Sequence, residues 1–246
     1  MELMRGQKIP DLLQAHEPIG LDEPTALNIG YQLFRLLDLL HERLQKTYID
    51  LKLENLWWQA ELSGPPGSGV LKVIDWNVLE DRRAVESGQS DPVARDLFRA
   101  TLYLYRMVTG TQPDLRGTLY VGQLDRVKTW QQIRFGTQQF LQAGLNPDLA
   151  RRFPSAAIAK SEVRRLLGYW QTEPDRLISE ANFLINDAKA LDGEQAEKKY
   201  RNYFQAREIV GIARQLLKTP DKRVDFLEAE LLTDFRQSIA LFKGGS

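Results

Sequence analysis

A hairpin signal between residues 55 and 75 constrains the fold more than any other feature of the sequence. Two short runs rich in β-forming residues, 56–58 and 70–74, flank a stretch of glycine, proline and serine at 63–69. Such a stretch is typical of a flexible hairpin tip. Pairing of the two runs would bring Asn55, just before the first run, close to Asp75, just after the second. The pattern therefore predicts that these two oxygen-bearing side chains meet at one end of a hairpin.

Two short motifs surround this hairpin. The run D-L-K-L-E-N from Asp50 to Asn55, followed by Asp75 in I-D-W, resembles the catalytic loop and the metal loop of eukaryotic-type protein kinases. Tyr48 and Ile49 stand where the family has the His and Arg of H-R-D. Of the D-F-G motif, only the Asp is kept.

The resemblance implies one role for each polar residue, because transfer of a γ-phosphoryl group depends on positioning and charge neutralisation. Asp50 would orient the attacking hydroxyl and accept its proton. Lys52 would steady the transferring phosphate, and so belongs to both the catalytic and the nucleotide-binding residues. Asn55 and Asp75 would supply hard oxygen ligands to Mg²⁺. The implied cofactor is Mg-ATP.

Further segments match the family in the correct order: a hinge at 1–6, a helix at 26–41, a buried central helix at 96–113 and a closing segment at 146–157. In the hinge, Glu2 and Met4 would contact the nucleotide. The link from the helix to Asp50 is one residue longer than the family norm. Asp96 would hold the backbone of the catalytic loop.

The family's glycine-rich loop, strand lysine and partner glutamate all precede the hinge, where this sequence begins. We therefore expect Met1 to be an internal methionine. We also expect the N-lobe to come from an upstream segment or from a partner protein in trans. Without that lobe, the isolated chain should bind nucleotide weakly or not at all, since half of the enclosing surface is missing.

The segment between the metal loop and the central helix is short and has no A-P-E motif. It leaves little platform for a peptide substrate and argues against regulation by phosphorylation. In the family, the glutamate of A-P-E pairs with an arginine of the closing segment. Here Arg151 or Arg152 would have to find Glu80, Glu86 or solvent instead.

Composition excludes several classes of protein. The 246 residues carry a formal net charge of zero, two histidines and no cysteine. We therefore expect no nucleic-acid partner, no disulfide framework and no thiolate metal site. No apolar run is long enough for a membrane span, so the expected location is the cytoplasm.

Three local features are assigned to packing. Trp57 and Trp58 point to opposite faces of a predicted strand, so that one of them should be buried. His41 should simply end its helix.

The fold prediction is a mainly α protein with a small β-hairpin element. Residues 1–171 would form the kinase-like C-lobe. Residues 172–246 show three amphipathic stripes, broken at 191–193 and 219–220, which predict a C-terminal helical bundle. These helices would either pack on each other or serve as a docking or dimerisation module.

Three functions remain open. The first is an ATP- and Mg²⁺-dependent Ser/Thr protein kinase, inactive until an N-lobe is present. The second is a pseudokinase scaffold, favoured by the altered motifs and the short segment. The third is a kinase-fold phosphotransferase for small molecules, favoured by I-D-W, although Lys52 argues against it.

Overall fold

The structure is a computed structural model. It describes residues 5–48, 50–75, 79–81, 91–112, 124, 128–191, 195–217 and 219–243, with the side chains of 81, 128 and 235–243 excepted. The chain divides into two compact units, Met1–Leu167 and Gly168–Ser246. The domain boundary predicted after residue 171 falls a few residues further along and stays a prediction.

The described part of the first unit is mostly helical. Its helices are α1 (Ile9–Gln14), α2 (Glu23–Asp38), a π-helical turn (Leu39–Arg43), α3 (Pro92–Thr109), α4 (Phe135–Gly144) and α5 (Ala156–Trp170), which ends in the second unit. Short 3₁₀ turns occupy Leu53–Asn55, Lys128–Gln132 and Leu149–Arg151.

The two central helices have clear start and stop signals. Asp22 caps α2 by accepting a hydrogen bond from the Thr25 amide at 3.0 Å. Asp91 caps α3 by accepting from the Val93 amide at 2.9 Å. Each cap satisfies an amide that the first turn leaves without a partner. Helix α3 ends at Gly110, whose φ of 67° is a left-handed conformation that glycine adopts easily.

The core of this unit lies between α2 and α3. Their buried apolar side chains include Leu27, Leu33, Phe34, Leu37, Leu97, Ala100, Leu104 and Tyr105. Phe34 meets Phe140 of α4 edge to face at 5.6 Å between ring centroids, and Phe140 stacks on Phe153 at 4.6 Å. The helical stripe predicted at 26–41 is therefore the buried centre of the lobe.

The strands are β1 (Gln7–Lys8), β2 (Lys46–Tyr48), β3 (Leu56–Ala60), β4 (Gly69–Val73) and β5 (Leu79–Asp81). One antiparallel sheet has the order β1-β3-β4, and β2 pairs with β5 in a second sheet. The predicted hairpin is present, because Leu56 pairs with Val73 and Ala60 with Gly69. Trp58 is buried whereas Trp57 is half-buried, as the alternation predicted.

The second unit contains the three predicted helices: α6 (Pro174–Ala190), α7 (Ala196–Leu216) and α8 (Lys222–Lys243). Their buried side chains include Leu177, Ala181, Ile185, Ala206, Ile209, Ala213, Val224, Leu227 and Leu231. The apolar stripes therefore bury against one another. Phe183 and Phe226 remain exposed. A docking or dimerisation role for this unit stays a prediction.

Both units together make a mainly α protein with a few short strands, as predicted. Within the described residues, no helix has the length and apolar character needed to cross a membrane.

Candidate active site

The hairpin brings Asn55 and Asp75 together, as the sequence predicted. Asn55 ends a 3₁₀ turn, and its carbonyl oxygen accepts a hydrogen bond from the Ile74 amide at 3.0 Å. Asp75 follows at once, with an exposed side chain and a φ of 63°. A left-handed backbone at a residue other than glycine costs about 1–3 kcal/mol and tends to occur at functional sites. The metal-binding role of the two residues stays a prediction.

Tyr48 connects the segment of Asp50 to that of Asp75. Its hydroxyl lies 2.9 Å from the Ile74 carbonyl oxygen and 2.7 Å from that of Asp75, and can donate to either. Burial raises the pKa of this phenol, and the charges of Asp75 and Asp50 raise it further. The sequence interpretation treated Tyr48 only as a lost histidine. In the structure, the buried Tyr48 side chain links the two loops through its hydroxyl hydrogen bonds.

Asp96 of α3 holds the other side of Tyr48. Its Oδ2 atom accepts a hydrogen bond from the Tyr48 amide at 2.8 Å, which confirms the predicted clamp on the loop backbone. The same oxygen lies 3.0 Å from Nε2 of His41. A carboxylate partner requires that Nε2 carry the proton. His41 is fully buried, so ending a helix is only part of its role.

The π-helical turn explains how the chain accommodates one extra residue before Asp50. The Leu44 amide donates to the Leu39 carbonyl oxygen at 3.1 Å, five residues earlier rather than four. A π turn is the geometry that inserts one residue into a helix. Gln45, with a φ of 52°, closes the turn. Its side-chain Nε2 donates to the carbonyl oxygens of His41 and Glu42 at 3.0 and 2.9 Å.

Asp50 and Lys52 form an ion pair in the loop. Lys52 Nζ lies 2.5 Å from Asp50 Oδ2, and this hydrogen bond raises the pKa of the lysine. Both side chains are partly exposed, so the pair is accessible to a ligand. Tyr103 of α3 donates its hydroxyl to the Leu51 carbonyl oxygen at 2.5 Å and thereby supports the backbone between them.

A cationic aromatic surface lies beside Asn55. Trp57 of β3 lies two residues after Asn55, and Lys8 and Lys72 stand directly opposite it on the two neighbouring strands. Lys8 Nζ lies 5.6 Å from the Trp57 ring centroid. Sequence reasoning assigned the tryptophans to packing and missed this surface. Its signal was the alternation that leaves one of two adjacent tryptophans outside the core.

The two arginines of the closing segment, Arg151 and Arg152, make different contacts. Arg151 is largely exposed, as one of the alternatives allowed, and its Nε lies 3.4 Å from Asp148. Arg152 instead places its guanidinium over the Phe98 ring at 4.4 Å and donates to the Asn146 carbonyl oxygen at 2.5 Å. Burial lowers the pKa of Arg152. Glu86 lies outside the described residues, so this aromatic contact adds to the predicted alternatives of Glu80, Glu86 or solvent.

Several predicted site residues lie outside the described residues. They are the hinge positions Glu2 and Met4, the H-R-D position Ile49, and Glu86. Among the described residues, no three His, Cys, Asp or Glu side chains cluster as a metal site. Asn55 and Asp75 alone would leave most of a Mg²⁺ shell to phosphate oxygens and water, which is the usual arrangement for this ion.

A groove with a cavity volume of about 550 Å³ lies away from these residues. It runs between α2, β4 and α5, and its lining includes Gln32, Leu36, Leu39, Val73 and Lys160. None of Asp50, Lys52, Asn55 or Asp75 lines it. Among the described residues, the side chains of Asp50, Lys52 and Asp75 are partly or fully exposed.

No protein-family model matches the chain, and no curated protein matches it. Among solved structures, it is similar to the kinase domain of Mycobacterium tuberculosis PknI, with 16% identity and a TM-score of 0.50 over 67% of this chain and 64% of that one. A double mutant of the same domain gives 16% identity and a TM-score of 0.51, over 68% and 65%. The chain thus spans less than two thirds of these domains. At this identity the likeness establishes the fold alone, which is that of a kinase-like C-lobe.

Proposed function

We propose that this chain is the C-lobe of an ATP- and Mg²⁺-dependent Ser/Thr protein kinase. The observation that carries the proposal is the double attachment of Tyr48, through its amide to Asp96 and through its hydroxyl to the Asp75 segment. This attachment fixes the loop of Asp50 relative to Asp75 although most of H-R-D and D-F-G is replaced. Positioning of this kind is what phosphoryl transfer requires of a protein.

The proposed roles are those that the resemblance implies for Asp50, Lys52, Asn55 and Asp75. Asn55 and Asp75 would hold Mg²⁺ as oxygen ligands, and the ion would neutralise charge on the phosphates of ATP. Asp50 would orient a Ser or Thr hydroxyl and accept its proton. Lys52 exchanges its ion pair with Asp50 for the transferring phosphate. That exchange frees the carboxylate when substrate arrives.

A second lobe is part of the proposal. The side chains of Asp50, Lys52 and Asp75 are partly or fully exposed, so a bound nucleotide would remain in contact with water, which weakens every electrostatic interaction within the site. An N-lobe supplied upstream or by a partner in trans would cover the surface of Lys8, Trp57 and Lys72. We place this assembly in the cytoplasm, without nucleic-acid or membrane partners. Cell fractionation checks the location.

Nucleotide binding by the purified chain tests the proposal. We expect weak, Mg²⁺-dependent binding of a non-hydrolysable ATP analogue by calorimetry, and its loss in Asp75→Asn. Asp11→Asn is the matched control, because Asp11 is an exposed carboxylate in α1, outside the site. In the complete protein, Asp50→Asn should abolish transfer to a Ser/Thr peptide while nucleotide binding persists. Equal binding by the Asp75 and Asp11 variants would contradict the proposal.

A pseudokinase scaffold is the second candidate. The placement of Arg152 on Phe98 favours it, because the closing segment is satisfied without an A-P-E glutamate. On this alternative, the complete protein would show no ATP turnover. Asp50→Asn would leave its partner interactions unchanged.

A further inference from the structure

Two amide side chains of α2 lie along the outer edge of β4. This strand ends the sheet order β1-β3-β4, so one of its edges has no neighbouring strand within that sheet. Gln32 Oε1 accepts from the Leu71 amide at 2.9 Å, and its Nε2 donates to the Gly69 carbonyl oxygen at 2.9 Å. One turn earlier, Asn28 Nδ2 donates to the Gly67 carbonyl oxygen at 2.8 Å.

These contacts repeat the bonding pattern of a strand. A neighbouring antiparallel strand exchanges a donor and an acceptor at every second residue, and Gln32 offers one of each to residues two apart. Gln32 Nε2 also lies 3.1 Å from Asn28 Oδ1, which joins the two amides. The edge is therefore matched by side chains that fit it in one register.

The register of β4 needs such a device. Its tip is rich in glycine and proline, and its side chains are half-buried or exposed, with Val70 53% exposed. Register is weakly specified where neither face of a strand is clearly buried. A slip of β4 by two residues would shift Asp75 by about 6.6 Å along the strand direction relative to Asn55, at roughly 3.3 Å per residue.

Helix α2 also fixes the other half of the site. Its π-helical continuation carries His41, which meets Asp96, and Asp96 holds the Tyr48 amide. The same helix is thus attached to the loop of Asp50 at one end and to the strand before Asp75 near its middle.

We propose that Gln32 is a positioning residue that fixes the register of β4 against β3 and thereby the separation of Asn55 and Asp75. The purpose of that separation, binding of Mg²⁺ and nucleotide, rests on the proposed function. The register itself does not. Gln32 touches neither of the two residues through any contact that the structure describes; it acts through the backbone of β4.

Gln32→Leu in the full chain, with Gln138→Leu as the matched control, tests the proposal. Gln138 is another half-buried amide of the first unit, and its Nε2 donates to the carbonyl oxygens of Trp130 and Ile133 at 2.8 and 2.9 Å. Hydrogen exchange of the Ile74 amide, which bonds to Asn55, is measured relative to that of Leu104 in α3. A loss of global stability speeds exchange at Leu104 at least as much as at Ile74, so only opening near β4 can raise the ratio.

We expect the Ile74 to Leu104 ratio to rise at least about tenfold in Gln32→Leu, because the substitution removes both hydrogen bonds to β4 and the loss of one net hydrogen bond corresponds to up to about tenfold. The ratio should stay unchanged in Gln138→Leu. Affinity for Mn²⁺ with a non-hydrolysable ATP analogue, measured by electron paramagnetic resonance, should fall in the first variant only. An unchanged ratio in Gln32→Leu overturns the proposal. If the unmodified chain binds no Mn²⁺-nucleotide, the proposed function fails, whereas the exchange ratio still decides the register.

Discussion

The two units use polar side chains in different ways. In the first unit, buried or half-buried side chains bond to backbone atoms far away in sequence, as Asp96 does to the Tyr48 amide and Gln32 to β4. In the second unit, the described polar contacts are mostly ion pairs between exposed side chains, such as Arg214 with Glu228 and Arg223 with Asp175.

This difference has consequences for stability. A buried polar group that loses its partner keeps the full cost of its desolvation, whereas an exposed ion pair is replaced by water. We therefore expect single polar substitutions to act strongly in the first unit and weakly in the second. The second unit should depend on its apolar stripes instead.

The largest expected effect is that of Asp96→Ala. The substitution leaves the Tyr48 amide and the His41 ring buried without their acceptor. Removing one partner of a buried pair costs about 3–5 kcal/mol, so the free energy of unfolding of the first unit should fall by that amount in urea titrations. Asp96→Asn, which keeps one oxygen acceptor, should cost less. If Asp96→Ala lowered the free energy of unfolding less than Asp11→Asn, an exposed substitution, then buried polar groups would not have the strong effect expected in the first unit.

A smaller effect is expected from Tyr48→Phe, which leaves the carbonyl oxygens of Ile74 and Asp75 without their donor. Because these two residues are half-buried and exposed, respectively, the loss is that of a net hydrogen bond, about 0.5–1.5 kcal/mol. Tyr203→Phe is the control in the second unit, because its hydroxyl lies 3.4 Å from the Asp234 carboxylate, at the limit of a hydrogen bond. We expect it to change stability less. Equal losses of unfolding free energy in urea for the two variants would show that the units do not differ.

The sequence predicted those elements whose signals are local. Alternation and a glycine-rich tip identified the hairpin, and helical periodicity identified the three stripes of the second unit. The convergence of Asn55 and Asp75 followed from the hairpin itself. The Asp96 clamp came from the resemblance of the central helix to a family pattern.

The contacts that were missed join residues with no local signal. His41 and Asp96 are 55 positions apart, and Tyr48 reaches Asp75 across 27. The sequence gives no signal of such a partner for an isolated histidine at a helix end. The same holds for a tyrosine in place of a histidine. The contact of Arg152 with Phe98 is of the same kind, because the sequence pointed to Glu80, Glu86 or solvent and gave no signal of an aromatic partner.

The smallest expected effects concern pH, and they have opposite signs in the two units. Burial raises the pKa of Glu23, although its carboxylate accepts hydrogen bonds from Thr137 at 2.5 Å and from the Arg134 amide at 3.1 Å. A raised carboxyl pKa means that the folded state binds the proton more tightly than the unfolded chain does. The stabilising contribution of Glu23 to the free energy of unfolding is therefore present at low pH. It is lost as the pH rises from the usual pKa of 4.5 through the raised pKa of the folded state.

Asp221 in the second unit behaves in the opposite way. Hydrogen bonds from the Arg223 side chain and backbone lower the pKa of its carboxyl group. Its contribution to the free energy of unfolding is present above the usual pKa of 3.8. It is lost as the pH falls through the lowered pKa of the folded state. Because the Arg223 side chain of this pair is 56% exposed, salt should weaken it.

Amide exchange at Leu104 and Ile209, followed between pH 3 and pH 7, separates the two contributions. Relative to the unmodified chain, Glu23→Gln should gain stability at Leu104 as pH rises, because the amide cannot ionise. Asp221→Asn should lose stability at Ile209 at the upper end of the range and approach the unmodified chain at the lower end. Two variants that respond to pH with the same sign would contradict the assignment of buried carboxyl chemistry to the first unit and exposed pairing to the second.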